Sequence, residues 1–285
     1  DYVKQDRAKA ESWYRQAIEA GNRAAHVRLA EFYLAGNPSR TRVNQAVTEL
    51  EQAREKGDPS ALIVLANVHL RNLLGNQSSA SRAEQYLREA QKTGVEAATT
   101  QLANLYINGA RGFSRRPAEG IKLLEQAALS GNRHSAHALV ALYRSGRGDQ
   151  IQKSPAKAKA TLDRFSHLVD PTQAAIERIL IDASSARSTS EYSRIAETID
   201  DQGTVLRQRA VRSLRDVNEN AFVYYVQHRM KAGGLYDGPL NGLLSSATIR
   251  SLKTLCDNGP AGDRCRQAPL SGPAATVIAI EAGQI

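Results

Sequence analysis

Small apolar residues recur along the first half of the chain at two periods. The short period is that of an α-helix. Ala10, Tyr14, Ala17 and Ile18 precede Gly21 at helical spacing, and Ala25, Leu29 and Tyr33 follow it. The long period is set by Gly21, Gly57, Gly94 and Gly131, which stand 36, 37 and 37 residues apart. Each glycine has an alanine four residues before it (Ala17, Ala53, Ala90, Ala127) and a leucine eight after it (Leu29, Leu65, Leu102, Leu139). Tyr33, His69, Tyr106 and Tyr143 stand twelve after it, and Gly36, Asn72, Gly109 and Gly146 fifteen after it. The spacing predicts a helix, a glycine that closes it, a second helix and a second stop in every unit. Ala46, Leu50 and Ala61 carry the stripe in the second unit, Ala83, Leu87 and Ala98 in the third. In the fourth it is carried by Leu124, with Gly120 and Ser135 in place of two alanines. One such hairpin cannot bury its apolar face alone, so neighbours must stack.

The frame A-x3-[YL]-x2-A-x3-G-x3-A-x3-L-x3-Y-x2-G resembles the Sel1-like repeats, relatives of the tetratricopeptide repeats, over residues 7–153. Gly109–Gly112 and Gly146–Gly148 add the family's exit turn. The resemblance implies an all-α chain, an α-solenoid of helix-turn-helix repeats followed by a small helical domain. His69 and Asn72 depart from the frame, and a Ser-rich exit from Leu74 to Ser81 predicts a local irregularity. From Ser154 the pattern decays: Ala158, Leu162 and Phe165 continue a first helix, Asp170–Pro171 echoes Asp58–Pro59, and the glycine is missing. This reads as a degenerate fifth repeat closing a solenoid over 1–183, with a helical connector over 184–219 and a third region over 220–285.

The connector predicts helices near 190–200 and 203–217. The second carries Arg207, Arg209, Arg212 and Arg215 beside Val205, Leu206, Val211 and Leu214. Such a basic face suits phosphates or acidic sugars. The alternative is a solvated face paired with Asp200, Asp201 or Asp216.

After a helix holding Tyr224, Tyr225, Val226 and Met230 comes a loop, Gly233-Gly234-Leu235-Tyr236-Asp237-Gly238-Pro239-Leu240-Asn241-Gly242, then a helix with Ala247, Ile249, Leu252 and Leu255. Val226-Gln227, Gly234-Leu235-Tyr236, Gly238-Pro239, Asn241-Gly242, Thr248 and Ile249 resemble the small helical peptidoglycan-binding domain over 222–256. Asn241 stands where that family has aspartate, a serine replaces a glycine, and the F-Q ending is absent. The resemblance implies a ligand site in which Tyr236 stacks on a sugar or peptide while Asp237, Asn241 and Arg250 offer polar contacts. The alternative is the same fold used for packing or protein contact. Beyond it, Thr276 to Ile280 reads as one short strand or an extended arm.

The formal net charge is +9, with a pI near 9.7. This balance favours acidic partners. Cys256 and Cys265 are the only cysteines and flank a short Gly- and Pro-containing segment. That suits a local disulfide, which needs an oxidising compartment such as the periplasm; two free buried thiols are the alternative. No apolar run is long enough to span a membrane. The sequence opens within a helical pattern at Asp1, so a signal or lipid anchor is expected to have preceded it.

No enzyme chemistry is as well defined as the repeat. There is no G-x-S-x-G elbow and no phosphate-binding glycine loop. His134 and His137 share a helix face, but no carboxylate is evident beside them in sequence. Glu49 and Glu51 read as solvent-facing. We therefore expect no catalytic residues, no metal and no cofactor. The expected function is a non-enzymatic periplasmic adaptor, possessing the fold of scaffolds used in exopolysaccharide production or export of the alginate kind. It would bind envelope proteins, meet anionic polysaccharide or peptidoglycan, sit by the outer membrane and take no nucleic acid. The alternatives are a peptidoglycan-binding module and a secreted Sel1-type hydrolase. The hydrolase family carries cysteines in each repeat, and this chain has none there.

Overall fold

A computed structural model describes residues 6–258. Among them the only regular elements are helices: fourteen α-helices and two short 3₁₀ turns. The chain divides into two compact units, 1–138 and 139–285.

In the first unit, hairpins follow the long period. They are α1 (Arg7–Glu19) with α2 (Ala25–Leu34), α3 (Arg40–Glu55) with α4 (Ser60–Leu70), and α5 (Ala80–Lys92) with α6 (Glu96–Asn108). A fourth begins with α7 (Pro117–Leu129) and the start of α8 (Arg133–Ser145). Each glycine of the ladder closes its helix with a positive φ, from 76° at Gly57 to 92° at Gly131. That conformation is open to glycine at little cost and strained for most other residues. The exit positions repeat it, and where the frame lacks glycine, Asn72 takes φ 55°, the one non-glycine residue to do so among those described. Asparagine is the side chain that best tolerates this region.

The stacking is between repeats more than within them: α2 packs on α3, α4 on α5 and α6 on α7. Leu50, Leu65, Leu87 and Leu102 are 0–1% exposed. Each contributes on the order of 2 kcal/mol of transfer free energy. Ala46, Ala53, Ala83 and Ala90 are fully buried between helices, which small side chains allow to approach closely. Gly120 marks a close approach of α7 to α6, since a Cβ there would lie 2.8 Å from the Ala103 carbonyl oxygen. The irregular exit after α4 contains a 3₁₀ turn, Gly75–Gln77. Arg40 holds it through the Leu74 carbonyl at 2.7 Å and the Gln77 amide oxygen at 2.7 Å.

In the second unit, α9 (Pro155–Arg164) and α10 (Pro171–Ser185) are the two helices of the span where the repeat pattern decays. Val140, Ala158, Leu162, Ala174 and Ile181 make its core. Then follow α11 (Thr189–Asp200), α12 (Thr204–Val217), α13 (Glu219–Ala232) and α14 (Ser246–Asn258). One apolar cluster joins α10 to α14 through Ile179, Ile199, Leu214, Phe222, Met230 and Leu252. Ser188 and Glu191 form a capping box at the start of α11. Three bonds from the Arg187 and Ser188 backbone and the Ser188 hydroxyl push the Glu191 carboxyl down to about 2. The predicted segment 276–280 lies outside the described residues, as does Cys265, the second half of the expected disulfide. Cys256 itself is 1% exposed within the cluster.

Candidate functional site

The repeat frame builds a polar device at its tyrosine position. In the first hairpin the Tyr33 hydroxyl donates to Glu11 at 2.6 Å and accepts from Arg15 at 2.9 Å. Two repeats on, Tyr106 donates to Glu84 at 2.7 Å and accepts from Arg88 at 2.5 Å. Arg116 stacks over the Tyr106 ring at 4.2 Å and reaches Glu84 at 3.5 Å. Burial works against the Glu84 charge, but Tyr106, Arg88 and Arg116 outweigh it and hold the carboxyl below its usual range. Burial, then the bond to Glu11, pushes the Tyr33 hydroxyl up to about 12.

The second hairpin has Val47, Glu51 and His69 at these register positions, and the device is open. The Ser79 backbone N–H donates to His69 Nδ1 at 3.2 Å, and the imidazole stacks on Tyr86 with centroids 5.9 Å apart. Burial, then the Arg82 charge, lowers the His69 pKa. With Nδ1 accepting, the neutral ring carries its proton on Nε2. Glu51 turns to the next repeat and accepts from the Tyr86 hydroxyl at 2.8 Å. His69 lines a cleft of about 270 Å³ between the exit turns of the second and third hairpins, with Asn72, Asn76, Ser78 and Arg111.

A further polar link joins the first two hairpins. The Lys56 ammonium contacts His26 Nε2 at 2.7 Å and Glu49 contacts Nδ1 at 2.8 Å. An ammonium only donates, so Nε2 accepts and Nδ1–H donates to Glu49. The expectation of a solvent-facing Glu49 is thereby corrected: its side chain is 13% exposed and is held by a buried histidine. His134 has a carboxylate that the sequence concealed, Glu96 at 3.0 Å. No group of three metal-ligating side chains forms among the described residues.

The four arginines of α12 do not act as one patch. Arg207 is half-buried and donates to the Asp200 and Gln202 carbonyls at 2.7 and 3.0 Å, capping the end of α11. Arg209 reaches Gln173 at 2.9 Å and Arg215 reaches Asp216 at 3.1 Å. Arg212 is exposed. Helical geometry places Arg207 and Arg209 on well-separated faces.

The 234–242 loop is organised from inside. Gln227, fully buried on α13, donates to the Leu243 carbonyl and the Thr248 hydroxyl, both at 3.0 Å, and to Asn241 Oδ1 at 3.2 Å. Its oxygen accepts from the backbone N–H groups of Asn241 at 3.1 Å and Gly242 at 2.9 Å. The expected stacking role of Tyr236 is wrong. The ring is 3% exposed, packed in the core, and its hydroxyl donates to the Pro239 carbonyl at 3.0 Å. Asn241 is likewise engaged, accepting from Leu243 N–H at 2.9 Å. Asp237 and Arg250 are exposed. The residues that suggested a peptidoglycan-binding domain are here the internal wiring of a turn: Gln227, Tyr236, Asn241, Gly242 and Thr248 all meet in it.

These arrangements define an all-α chain of stacked helical hairpins followed by a helical bundle. No family model matches the chain, and no curated protein does. Among solved structures it is similar to a Sel1 repeat protein from Oxalobacter formigenes, at 22% identity over 75% of this chain and 81% of that one, with a TM-score of 0.46. It is also similar to c5321, a protective antigen present in uropathogenic Escherichia coli strains displaying an SLR fold. There the identity is 15% over 95% of this chain and 62% of that one, with a TM-score of 0.45. No described helix is long and apolar enough to cross a membrane.

Proposed function

We propose that the chain is a non-enzymatic adaptor that holds protein partners on its repeats, in the bacterial periplasm and in the service of exopolysaccharide production or export. The observation that carries this reading is the division between frame and non-frame positions. Frame residues such as Ala46, Leu65 and Leu102 are buried alike in successive hairpins, while the polar positions between them change from one hairpin to the next. A stack of this kind offers a preformed, residue-specific surface, which lowers the ordering cost of binding. The positive charge supports work beside an anionic polymer, and the cysteine pair supports an oxidising compartment. Peptidoglycan binding by the 234–242 loop has less support, because its aromatic residue is core.

Photo-crosslinking tests the reading. A crosslinker at exposed Arg28 or Lys122 should capture a defined envelope protein in whole cells, and charge reversal at neighbouring exposed positions should lower the yield. Crosslinks no more specific than those of an unrelated helical protein of equal charge would remove the support for an adaptor.

A further inference from the structure

The cleft between the exit turns of the second and third hairpins is where the array departs from its own frame. Three departures meet there. His69 replaces the frame tyrosine, Asn72 replaces the exit glycine, and the exit is lengthened by the 3₁₀ turn. The turn is firmly built. Arg40 binds it at two points, and the Ser78 hydroxyl accepts from the Leu74 N–H at 3.1 Å. The cleft wall is therefore preorganised.

What the wall offers is donors. His69 is 94% buried, since only 6% of it is exposed, and its Nδ1 is occupied by the Ser79 N–H. Its Nε2–H has no hydrogen-bond partner among the described residues, and His69 is among the residues that line the cleft. Asn72 and Asn76 bring side-chain amides, Ser78 a hydroxyl whose proton is not used by its bond to Leu74, and Arg111 the one formal charge. No acidic residue lines the cleft. At the corresponding place in the first and third hairpins, the tyrosine hydroxyl is satisfied by a carboxylate of its own hairpin, Glu11 or Glu84. In the second hairpin that carboxylate position is Val47.

We propose that this cleft binds a carboxylate supplied by a protein partner, an exposed Asp or Glu side chain in an acidic peptide segment. The incoming carboxylate accepts from His69 Nε2–H and pairs with Arg111. The volume of about 270 Å³ suits one such side chain and its adjoining backbone. The assignment of the ligand to a protein rests on the adaptor reading above.

The test uses the full chain, ¹⁵N-labelled, titrated at constant ionic strength with the peptide Ac-Gly-Asp-Gly-NH2. Parallel arms use Ac-Gly-Asn-Gly-NH2 and tri-galacturonate. The aspartyl peptide should shift the His69 ring and the Asn72 and Asn76 side-chain amide resonances saturably, and the asparaginyl peptide should not. Arg111→Gln, at an exposed site, should weaken the aspartyl peptide about threefold. His69→Asn keeps an acceptor for the Ser79 N–H but loses the Nε2 donor, and should weaken it about fivefold. An equal response to the asparaginyl peptide, or no saturable shift at these resonances, overturns the site. A stronger response to tri-galacturonate overturns the protein assignment in favour of an acidic sugar. Crosslinked partners recovered despite a silent cleft would leave the adaptor reading standing without this site.

Discussion

Replacing Gln227 by leucine should uncouple the 234–242 loop from the bundle that carries it. The side chain is completely buried, and its oxygen is the acceptor for two backbone N–H groups, those of Asn241 and Gly242. Leucine fills a similar volume, so the packing loss is small and the polar loss dominates. Each N–H left without a partner in the interior costs about 1–3 kcal/mol. Thr248 and Tyr236 lose a donor but keep other partners, the Ser245 hydroxyl for the first and the Pro239 carbonyl for the second. The expected penalty is thus about 3 kcal/mol and is local to the loop. Native-state hydrogen exchange reads it directly. The amides of Asn241 and Gly242 should exchange about 150-fold faster in Gln227→Leu, while those of α3 and α5 keep their rates. If Gly242 exchange is unchanged, or if amides accelerate uniformly throughout the second unit, Gln227 is not the hub of the loop and the account of Tyr236 and Asn241 as internal wiring fails.

Three other outcomes follow from the same geometry. Gly120→Ala would set a methyl 2.8 Å from the Ala103 carbonyl oxygen and 2.7 Å from Ile107, and urea unfolding should show a loss of about 1–3 kcal/mol despite alanine's better helix propensity. Asn72→Val should cost about 1–2 kcal/mol by the same measurement and Asn72→Gly should cost nothing, because φ there is 55°. The folded Glu84 carboxyl titrates below its usual range, so its contribution is present above the unfolded carboxylate pKa and is lost as pH falls through the lower folded value. Glu84→Gln should therefore be less stable than the parent at neutral pH, with the gap closing in acid; a gap that is constant with pH would refute the linkage.

The repeat was legible because its signals are backbone requirements. A left-handed turn at Gly57 or Gly94 admits few other residues, and a helix pair in contact admits few side chains larger than Ala53 or Ala90. The helices 189–200 and 204–217 were legible from their amphipathic spacing. The arginine face was not, because a list of arginines says nothing of the carbonyls at a helix end that Arg207 caps. The loop misled for a related reason. Gly-Leu-Tyr followed by Gly-Pro reads as an exposed turn presenting its aromatic, yet so small a turn needs a core of its own, and Tyr236 and Gln227 supply it. The one available clue was Gln227 itself, a polar residue amid Val226, Tyr225 and Met230 on an otherwise apolar helix stripe.

The links between hairpins were beyond the sequence because their partners lie about one repeat apart, and they bear on how the array keeps its order. Identical frames would let any second helix accept any first helix, so α5 would pack on α2 as readily as α3 does. The polar residues at equivalent positions differ, and this changes the balance. Glu49 and Tyr86 occupy the same register position, and Glu49 satisfies His26 whereas Tyr86 stacks on His69 and donates to Glu51. Docking α5 on α2 would set Tyr86 against His26, which is 2% exposed, and leave its Nδ1–H without the carboxylate. It would also forfeit the Arg54–Glu89 pair at 2.9 Å, which ties the second hairpin to the third. An unsatisfied buried imidazole alone costs about 1–3 kcal/mol, enough to disfavour the skipped arrangement by about 5-fold to 150-fold. The apolar frame thus accounts for the stacking of the hairpins, and the residues that break the frame account for their sequence of neighbours.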